Sequence, residues 1–334
     1  RTMVTICTYN ARTLASEFSI EDLLMQANMI RYDVIGLADT RRCHPFNAVY
    51  DTGEELFLGT CDSRGVGGVG VLVNTSLSMN IDSFEQLTTR IEQLITRIGR
   101  LRLKRCGSTP ALTIFIIYAP KSNYNEEEVE AFYMDLEIFY KEDHTFFKVI
   151  FGDFNAKIGP RRSSEEHHIG THALEWNEQG ERLSEFIMAT ETIRGNSQFR
   201  KPHRQRWTWE SPNGEYHNEI DHIIVNRKSC LTDVAVVSKF YTGSDHRLLR
   251  ARFYFSWKGE KAAKFKNLSP RTTTNWDLFN SLDGCWEDAV VDNIDEEHDR
   301  LIEHLHVSAM KAESSKVTKR RLSPETLELI RQRG

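Results

Sequence analysis

The sequence predicts an α/β protein, in which apolar strands alternate with amphipathic helices along most of its 334 residues. Three observations carry this prediction. Short apolar runs such as 112–118 and 148–152 have the length of buried strands. Apolar residues recur at helical spacing in other segments, each opened by a serine or an asparagine. Polar residues typical of catalytic sites follow directly after several of the strands.

The composition indicates a globular protein, because the hydrophobic fraction of 40% and the charged fraction of 27% are ordinary values. The apolar runs are far shorter than the roughly 18 residues of a membrane span, and no secretory signal opens the sequence, so we expect no membrane association. Six scattered cysteines favour a reducing compartment, and the expected location is intracellular, nuclear or cytoplasmic. Since the net charge is −5, nucleic-acid binding has to come from local patches.

The N-terminal part is predicted to form a strand, a helix and a second strand. Residues 4–9 alternate loosely and end at Asn10, which indicates a strand followed by a loop. Ser19 is the expected N-cap of the helix, because two acids and then apolar residues at helical spacing follow it. Residues 34–37 predict a short buried strand that delivers Asp39 to its end.

Two further segments are expected to be structural. Residues 65–70 are rich in glycine, but a strand follows them and not a helix, so the phosphate-binding fingerprints fail and close backbone packing is expected. Residues 85–91 and 92–98 form a tandem duplication that differs at one position. Two heptads are too few for a coiled coil, so the duplication should loop out or extend a hairpin.

The middle of the chain continues the alternation of helices and strands. Asn125 and Asn177 are expected to cap two helices, and three glutamates follow Asn125 directly, where the helix dipole favours acids. Strands are predicted near 112–118, 148–152, 206–210, 220–225, 233–238 and 248–255.

The composition changes after about residue 257. A basic, hydroxyl-rich stretch follows, as is typical of linkers, and then helical patterns. We therefore predict a domain over 1–256, a linker over 257–274 and a helical C-terminal extension over 275–334. The extension is mixed in charge, and both packing on a protein partner and poor order are compatible with it.

Residues at the strand ends supply the groups that phosphodiester hydrolysis needs: carboxylates for a cation, a base for water and donors for the phosphoryl oxygens. They are Asn10, Asp39, Asp153, Asn155, Asp221, Asp245 and His246. Mg²⁺ is usually held by one or two carboxylates with several waters retained. Each residue alone is compatible with an ordinary turn or cap, because Gly, Asp and Asn all favour turns. Their conjunction indicates metal-assisted phosphodiester hydrolysis.

A basic stretch over 200–209 leads into two tryptophans. Such a patch can meet phosphates and stack on bases, which makes DNA the expected partner. Basic surface loops are common, so the stretch by itself is a weak indication.

Six short motifs follow one another in a fixed order along residues 4–255. They are Thr8-Tyr9-Asn10, Leu37-Ala38-Asp39-Thr40, Tyr118-Ala119-Pro120, Gly152-Asp153-Phe154-Asn155, Glu219-Ile220-Asp221-His222 and Ser244-Asp245-His246. Together they resemble the endonuclease/exonuclease/phosphatase superfamily. More narrowly, residues 5–14 and 240–247 resemble the endonuclease domain of RTE-type non-LTR retrotransposons and craniofacial development protein 2-like proteins. The resemblance implies a four-layered α/β/β/α sandwich of the DNase I type that nicks one DNA strand with Mg²⁺, or with Mn²⁺ in its place.

The resemblance also implies a role for each motif residue. The implied metal-binding residues are Asn10, Asp39 and Asp245. The implied catalytic residues are Asp153 with Asn155 for the attacking water, His246 for the scissile phosphate, Asp221 for the orientation of His246, and Tyr118 for phosphate contact. The expected substrate-binding residues are Arg206 and Trp207 from the basic stretch, and Thr208 and Trp209, which match a family element of the substrate groove.

Asp39 departs from the family pattern, which ordinarily has Glu at this position. A carboxylate that is one methylene shorter predicts weakened metal affinity, because Mg²⁺ demands short and regular ligand distances. Two alternatives therefore stay open: a DNA-binding or scaffold protein that keeps the fold with weakened catalysis, and a phosphatase of inositol phosphates or lipids. No paired-Asp polymerase motif follows the nuclease region, and both a fragment of a longer element and a stand-alone protein stay open.

Overall fold

The computed structural model describes residues 2–14, 16–87, 97–107, 109–255, 272–274 and 313–315, with six further residues between 278 and 311. The chain divides into two compact units, Arg1–Glu260 and Lys261–Gly334. All of the predicted site residues belong to the first unit.

The strands of the first unit form two mixed sheets. In chain order they are β1 (Thr2–Asn10), β2 (Val34–Ala38), β3 (Phe46–Val49), β4 (Glu55–Leu58), β5 (Val69–Val73), β6 (Ile81–Gln86), β7 (Ile98–Leu103), β8 (Leu112–Tyr118), β9 (Phe147–Asp153), β10 (Ile193–Arg194), β11 (Trp209–Glu210), β12 (His217–Asn218), β13 (Asp221–Val225), β14 (Leu231–Val237) and β15 (Leu248–Phe255). The first sheet has the order β14-β15-β1-β2-β5-β4-β3 and the second β10-β13-β9-β8-β7-β6. Strands β11 and β12 form a separate two-stranded sheet.

Helices pack against both sheets. They are α1 (Glu17–Asn28), α2 (Thr75–Ser78), α3 (Glu126–Glu142) and α4 (Glu178–Ala189), with single 3₁₀ turns at Asn196–Gln198, His203–Gln205 and Lys228–Cys230. One apolar cluster packs α1 on the first sheet, and another packs α3 and α4 on the second. The helices bury one face because their apolar residues recur at helical spacing.

The inner faces of the two sheets share the third apolar cluster, which includes Ile6, Phe151 and Phe253. At Gly36 the approach is closest, since a Cβ atom there would lie 1.9 Å from the Phe151 ring. The layers are therefore helix, sheet, sheet and helix, and the predicted α/β/β/α sandwich is confirmed.

The caps of the two middle helices are confirmed, and the cap of the first is not. Asn125 Oδ1 accepts the N–H of Glu128 at 2.7 Å, and Asn177 Oδ1 accepts the N–H of Gly180 at 2.9 Å. Ser16 caps α1 and Ser19 lies inside its first turn, where the N–H of Ser19 donates to Ser16 Oγ at 3.3 Å. The acidic residues after Ser19 led to the prediction that α1 begins after Ser19, whereas the helix begins at Glu17.

Two other segments refine the predictions. Within 206–210 only Trp209–Glu210 is strand, and the preceding three residues are buried outside any strand. Close packing of the glycine-rich stretch is confirmed at Gly68, where a Cβ atom would lie 2.6 Å from Thr40 Oγ1. The core of the duplication, 88–96, lies outside the described residues, so its looping out stays a prediction. Its flanks pair as a hairpin of β6 and β7.

In the second unit, β16 (Thr272–Thr274) pairs antiparallel with β17 (Glu313–Ser315), which the sequence did not predict. The predicted linker and helical extension otherwise lie largely outside the described residues, and they stay predictions together with the domain boundaries. Of the helices that the structure describes, none has the length and apolarity that crossing a membrane requires.

Candidate functional site

A cleft of about 320 Å³ opens at the edge where strand ends of both sheets meet. The first sheet contributes the ends of β1 and β2, and the second contributes the end of β9. The predicted residues that line it are Asn10, Asp39, Asp153, Asn155, Trp209, Asp245 and His246. Residues that the sequence did not single out also line it, namely Arg12, Arg41, Lys121, Ser122, Lys157, Asn177, Asn218 and Ile220.

One side of the cleft is a chain of buried acids around an imidazole, called here the histidine half: Asp153, Asp221 and His246. His246 Nδ1 lies 2.8 Å from Asp221 Oδ2, and its Nε2 lies 3.8 Å from Asp153 Oδ2. Burial opposes protonation, but the two carboxylates outweigh it and raise the pKa of His246 to about 9. The imidazole is therefore positively charged at neutral pH: Nδ1 donates to Asp221 Oδ2, and Nε2 lies at ion-pair distance from Asp153.

Asp153 is held by neighbours that leave it facing the cleft. Asn10 Nδ2 donates to Asp153 Oδ2 at 2.8 Å, and the backbone N–H of Asn155 donates to Oδ1 at 2.9 Å. Asn155 adopts the left-handed backbone with φ of 50°, and its side chain donates to Ala119 O at 3.0 Å. Burial raises the pKa of Asp153 above its ordinary value, and the charge of His246 only partly offsets this. A carboxylate with a raised pKa is suited to accept a proton from water.

Asp221 is fixed from below by Thr208, which the sequence assigned to substrate. Thr208 is fully buried, and its Oγ1 accepts the N–H groups of Ile220 at 3.2 Å and Asp221 at 3.1 Å. In the ladder between β9 and β13, Asp221 lies directly opposite Asp153. The backbone therefore sets the spacing of the two acids.

The other side of the cleft pairs each acid with an arginine and is called here the arginine half: Asp39 with Arg41, and Asp245 with Arg12. Asp39 is 1% exposed, and Arg41 Nη2 donates to its Oδ2 at 3.0 Å. Arg12 Nη1 donates to Asp245 Oδ2 at 2.6 Å. Asp245 Oδ1 is buried and has no hydrogen-bond partner in the part of the chain that the structure describes.

The donor set of the arginine half suits a hard divalent cation. Asp39, Asp245 and Asn10 bring carboxylate and amide oxygens to one cleft, and the buried Asp245 Oδ1 lacks a partner among the described residues. No group of three or more His, Cys, Asp and Glu residues there is arranged to hold a metal ion. The set therefore suits a hard divalent cation that keeps several of its waters, and the described residues do not form a closed protein cage.

Arg206 and Trp207 are not among the described residues that line the cleft, and their assignment to substrate stays a prediction. Arg206 is buried, and its Nη2 pairs with Glu219 Oε2 at 3.1 Å. Glu219 Oε1 also pairs with the fully buried Arg194 at 2.8 Å. Trp207 is buried between the guanidinium of Arg247 and the ring of His217. These side chains support the site from beneath, and Trp209 is the one of the four predicted substrate residues on the described cleft wall.

Tyr118 also lies behind the wall and not on it. Its side chain is fully buried, and its hydroxyl has no hydrogen-bond partner among the described residues. Burial first, and then the charges of Asp39 and Asp153, raise its pKa, so the phenol stays neutral. Tyr118 is not among the described residues that line the cleft, and the phosphate contact implied by the resemblance stays a prediction.

Four cations at the cleft escaped the sequence interpretation: Arg12, Arg41, Lys121 and Lys157. Their positions in the sequence could have indicated them. Arg12, Arg41 and Lys157 each lie two positions after a motif residue, and Lys121 directly follows Tyr118-Ala119-Pro120. These four cations are called here the basic rim, although three of them pair with acids: Arg12 with Asp245, Arg41 with Asp39 and Lys157 with Glu175. A rim of this kind attracts an anionic polymer.

Comparisons with known proteins show what the chain is similar to in sequence and in fold. A family model described as Endonuclease/Exonuclease/phosphatase family matches residues 7–246. Craniofacial development protein 2 of Bos taurus is 28% identical over 297 residues, which cover 85% of this chain and 45% of that protein. The chain thus spans about half the length of the curated relatives that it matches.

Solved structures share the fold at low sequence identity. The AP endonuclease LMAP from Leishmania major superposes with a TM-score of 0.57 and 14% identity, covering 76% of this chain and 88% of that one. The endonuclease domain of TRAS1, a telomere-specific non-LTR retrotransposon, superposes with a TM-score of 0.50 and 13% identity, covering 75% and 98%. At this identity the likeness concerns the DNase I-like fold.

Proposed function

The chain belongs to the endonuclease/exonuclease/phosphatase family, and we propose that it hydrolyses phosphodiester bonds of DNA, nicking one strand in the presence of Mg²⁺ or Mn²⁺. The observation that carries this proposal is the histidine half, in which a buried carboxylate and a protonated imidazole face one cleft. The two groups perform the two tasks that hydrolysis requires: one takes a proton from water, and the other offsets charge on the phosphate.

In the proposed mechanism Asp153 accepts the proton of a water molecule that attacks the phosphorus atom, and the bond from phosphorus to the leaving oxygen breaks. The leaving oxygen keeps the bonding electron pair and takes a proton from solvent to become a hydroxyl. The imidazolium of His246 donates to a phosphoryl oxygen, whose negative charge is stabilised in the transition state. Asp221 keeps the proton on His246 and fixes the plane of its ring. Asn10 and Asn155 hold the carboxylate of Asp153 in place.

A bound divalent cation would supply Lewis-acid stabilisation of the phosphate, and Asn10, Asp39 and Asp245 are the residues proposed to hold it. DNA is the proposed substrate, because the basic rim suits a phosphate backbone. Proposals for the remainder of the chain are an intracellular location, nuclear or cytoplasmic, and a C-terminal extension that packs on a protein partner.

Nicking of supercoiled plasmid by the purified chain tests the proposed function. The Asp153→Ala and His246→Ala variants should lose activity, whereas His167→Ala should retain it, because His167 is exposed and outside the cleft. The rates are measured with Mg²⁺, with Mn²⁺ and with a chelator. Activity that survives both cleft substitutions contradicts the proposal.

A second candidate is a DNA-binding protein with weakened catalysis, and the engagement of Asp39 favours it. Both oxygens of that carboxylate already accept hydrogen bonds from the protein, from Gly67 N–H and from Arg41. Under this alternative the chain shifts DNA in a gel but does not nick plasmid with either cation.

A further inference from the structure

Both oxygens of the Asp39 carboxylate accept hydrogen bonds from within the protein. Its Oδ1 accepts the N–H of Gly67 at 2.8 Å. Its Oδ2 accepts two N–H groups of one guanidinium, from Arg41 Nε at 3.1 Å and from Nη2 at 3.0 Å. A divalent cation at this carboxylate therefore meets a positive charge that already occupies Oδ2.

The backbone holds this pair in place. Asp39 and Arg41 both adopt left-handed conformations, with φ of 54° and 55°. Such backbone costs energy in residues with a Cβ and persists where surrounding contacts fix it. Here the N–H groups of Thr40 and Arg41 donate to Gly68 O and Gly67 O at 3.1 and 2.9 Å. The two-residue spacing and this fixed bend return the guanidinium onto Asp39.

Arg41 is nevertheless able to leave. Its side chain is one third exposed and lines the cleft, whereas Asp39 is buried. A long, partly exposed side chain can turn its charged head toward water, and the buried carboxylate that it leaves then has the divalent cation as its new partner.

We propose that Arg41 competes with the divalent cation for Asp39, so that cation binding requires the guanidinium to leave the carboxylate. This inference rests on the proposed metal dependence and adds to it a residue that sets metal affinity. The resident positive charge offsets the buried carboxylate when no metal is bound, and its departure is the step that cation binding has to drive.

The other arginine of the cleft provides an internal contrast. Arg12 occupies only Asp245 Oδ2, and Asp245 Oδ1 has no partner among the residues described. A cation bound at that oxygen would not have to displace Arg12. Removal of Arg12 should therefore change metal affinity less than removal of Arg41.

The test is Mn²⁺ binding to the full chain without DNA, followed through the paramagnetic resonance signal of free Mn²⁺. We expect Arg41→Ala to tighten binding about three- to tenfold, the range that corresponds to loss of one partly exposed competing ion pair. Arg41→Lys should fall between the wild type and Arg41→Ala, because an ammonium lacks the guanidinium fork. Unchanged or weaker binding in Arg41→Ala overturns the inference.

A matched control is Arg64→Ala. Arg64 pairs with Asp62, also two residues earlier, through Nε and Nη2 at 3.3 and 3.2 Å. It is not among the described residues that line the cleft. Its removal should leave Mn²⁺ affinity unchanged, and equal tightening in Arg64→Ala and Arg41→Ala overturns the inference in favour of a general charge effect.

A double-mutant cycle with Asp39→Asn shows whether Arg41 acts through Asp39. The amide oxygen of Asn keeps an acceptor for Gly67 but removes the charge. In this background Arg41→Ala should no longer tighten Mn²⁺ binding, and persistent tightening overturns the inference. Because the readout needs no cleavage, failure here leaves plasmid nicking by the wild-type chain as an independent result.

Discussion

The two halves of the cleft hold their carboxylates in opposite ways. In the histidine half, Asp153 and Asp221 share an imidazolium that the protein itself keeps charged. In the arginine half, Asp39 is covered by a permanently charged guanidinium that has to leave before another cation binds. The histidine half therefore holds its positive charge before any ligand binds, whereas cation binding in the arginine half depends on an exchange of cations.

The largest effect should come from breaking the histidine half with Asp221→Asn. The amide removes the charge that keeps His246 protonated, so the nicking rate should fall by roughly 10²- to 10⁴-fold. Rates are measured across pH, and the alkaline limb of the profile should move to lower pH. Asp233→Asn is the matched control, because Asp233 pairs with Lys201 outside the cleft. A wild-type rate for Asp221→Asn contradicts the role given to the histidine half.

A second prediction concerns the titration of His246 in the metal-free chain. Its pKa is raised to about 9, because the carboxylates of Asp221 and Asp153 outweigh burial. Because the pKa is higher in the folded chain than in the unfolded chain, protonation of His246 stabilises the fold. This stabilisation is fully present below pH 6.5 and is lost as the pH rises through about 9. NMR of the imidazole against pH in chelator measures the midpoint. A midpoint at or below 6.5 shows that burial dominates and that the histidine half is not charged in advance.

A third prediction concerns the support of the histidine half. Thr208→Val leaves two buried N–H groups without an acceptor and should destabilise the fold by about 1–3 kcal/mol. Thr208→Ser keeps the hydroxyl and should cost less. Urea unfolding measures both variants. Unchanged stability together with a raised KM for DNA would contradict this supporting role and would favour the substrate contact that the sequence resemblance implies for Thr208.

The strand-end residues were predictable because their signal is local. An apolar run followed by a polar residue indicates the end of a strand, so the sequence predicts Asn10, Asp39 and Asp153 at strand ends. The parallel pairing of β1 with β2 brings the first two to the same edge of the sheet. The caps Asn125 and Asn177 are visible for the same reason, since a cap bonds to an N–H three residues away.

Contacts between distant segments were not predictable from local pattern. From the sequence alone Arg206 is expected to be a surface cation. Its burial is explained by its ion pair with Glu219, which also pairs with Arg194. The pairing of Arg41 with Asp39 is short in sequence, but it depends on two left-handed residues held by the loop at Gly67 and Gly68. The sequence therefore predicted the polar groups of the site, and the folded loops decide which of them face the cleft.

The smallest expected effect sharpens the arginine half and comes from Asp39→Glu. The longer arm reaches further into the cleft, so the Mg²⁺ concentration for half-maximal nicking should fall a few-fold, by about three- to tenfold at most. A buried site resists an added methylene, so urea unfolding of the same variant controls for overpacking. Equal half-saturation contradicts the idea that arm length limits affinity. Combined with Arg41→Ala, the gain should be smaller than the product of the single gains, because both changes relieve the same obstacle at one carboxylate. Independent gains would instead separate arm length from the competing guanidinium.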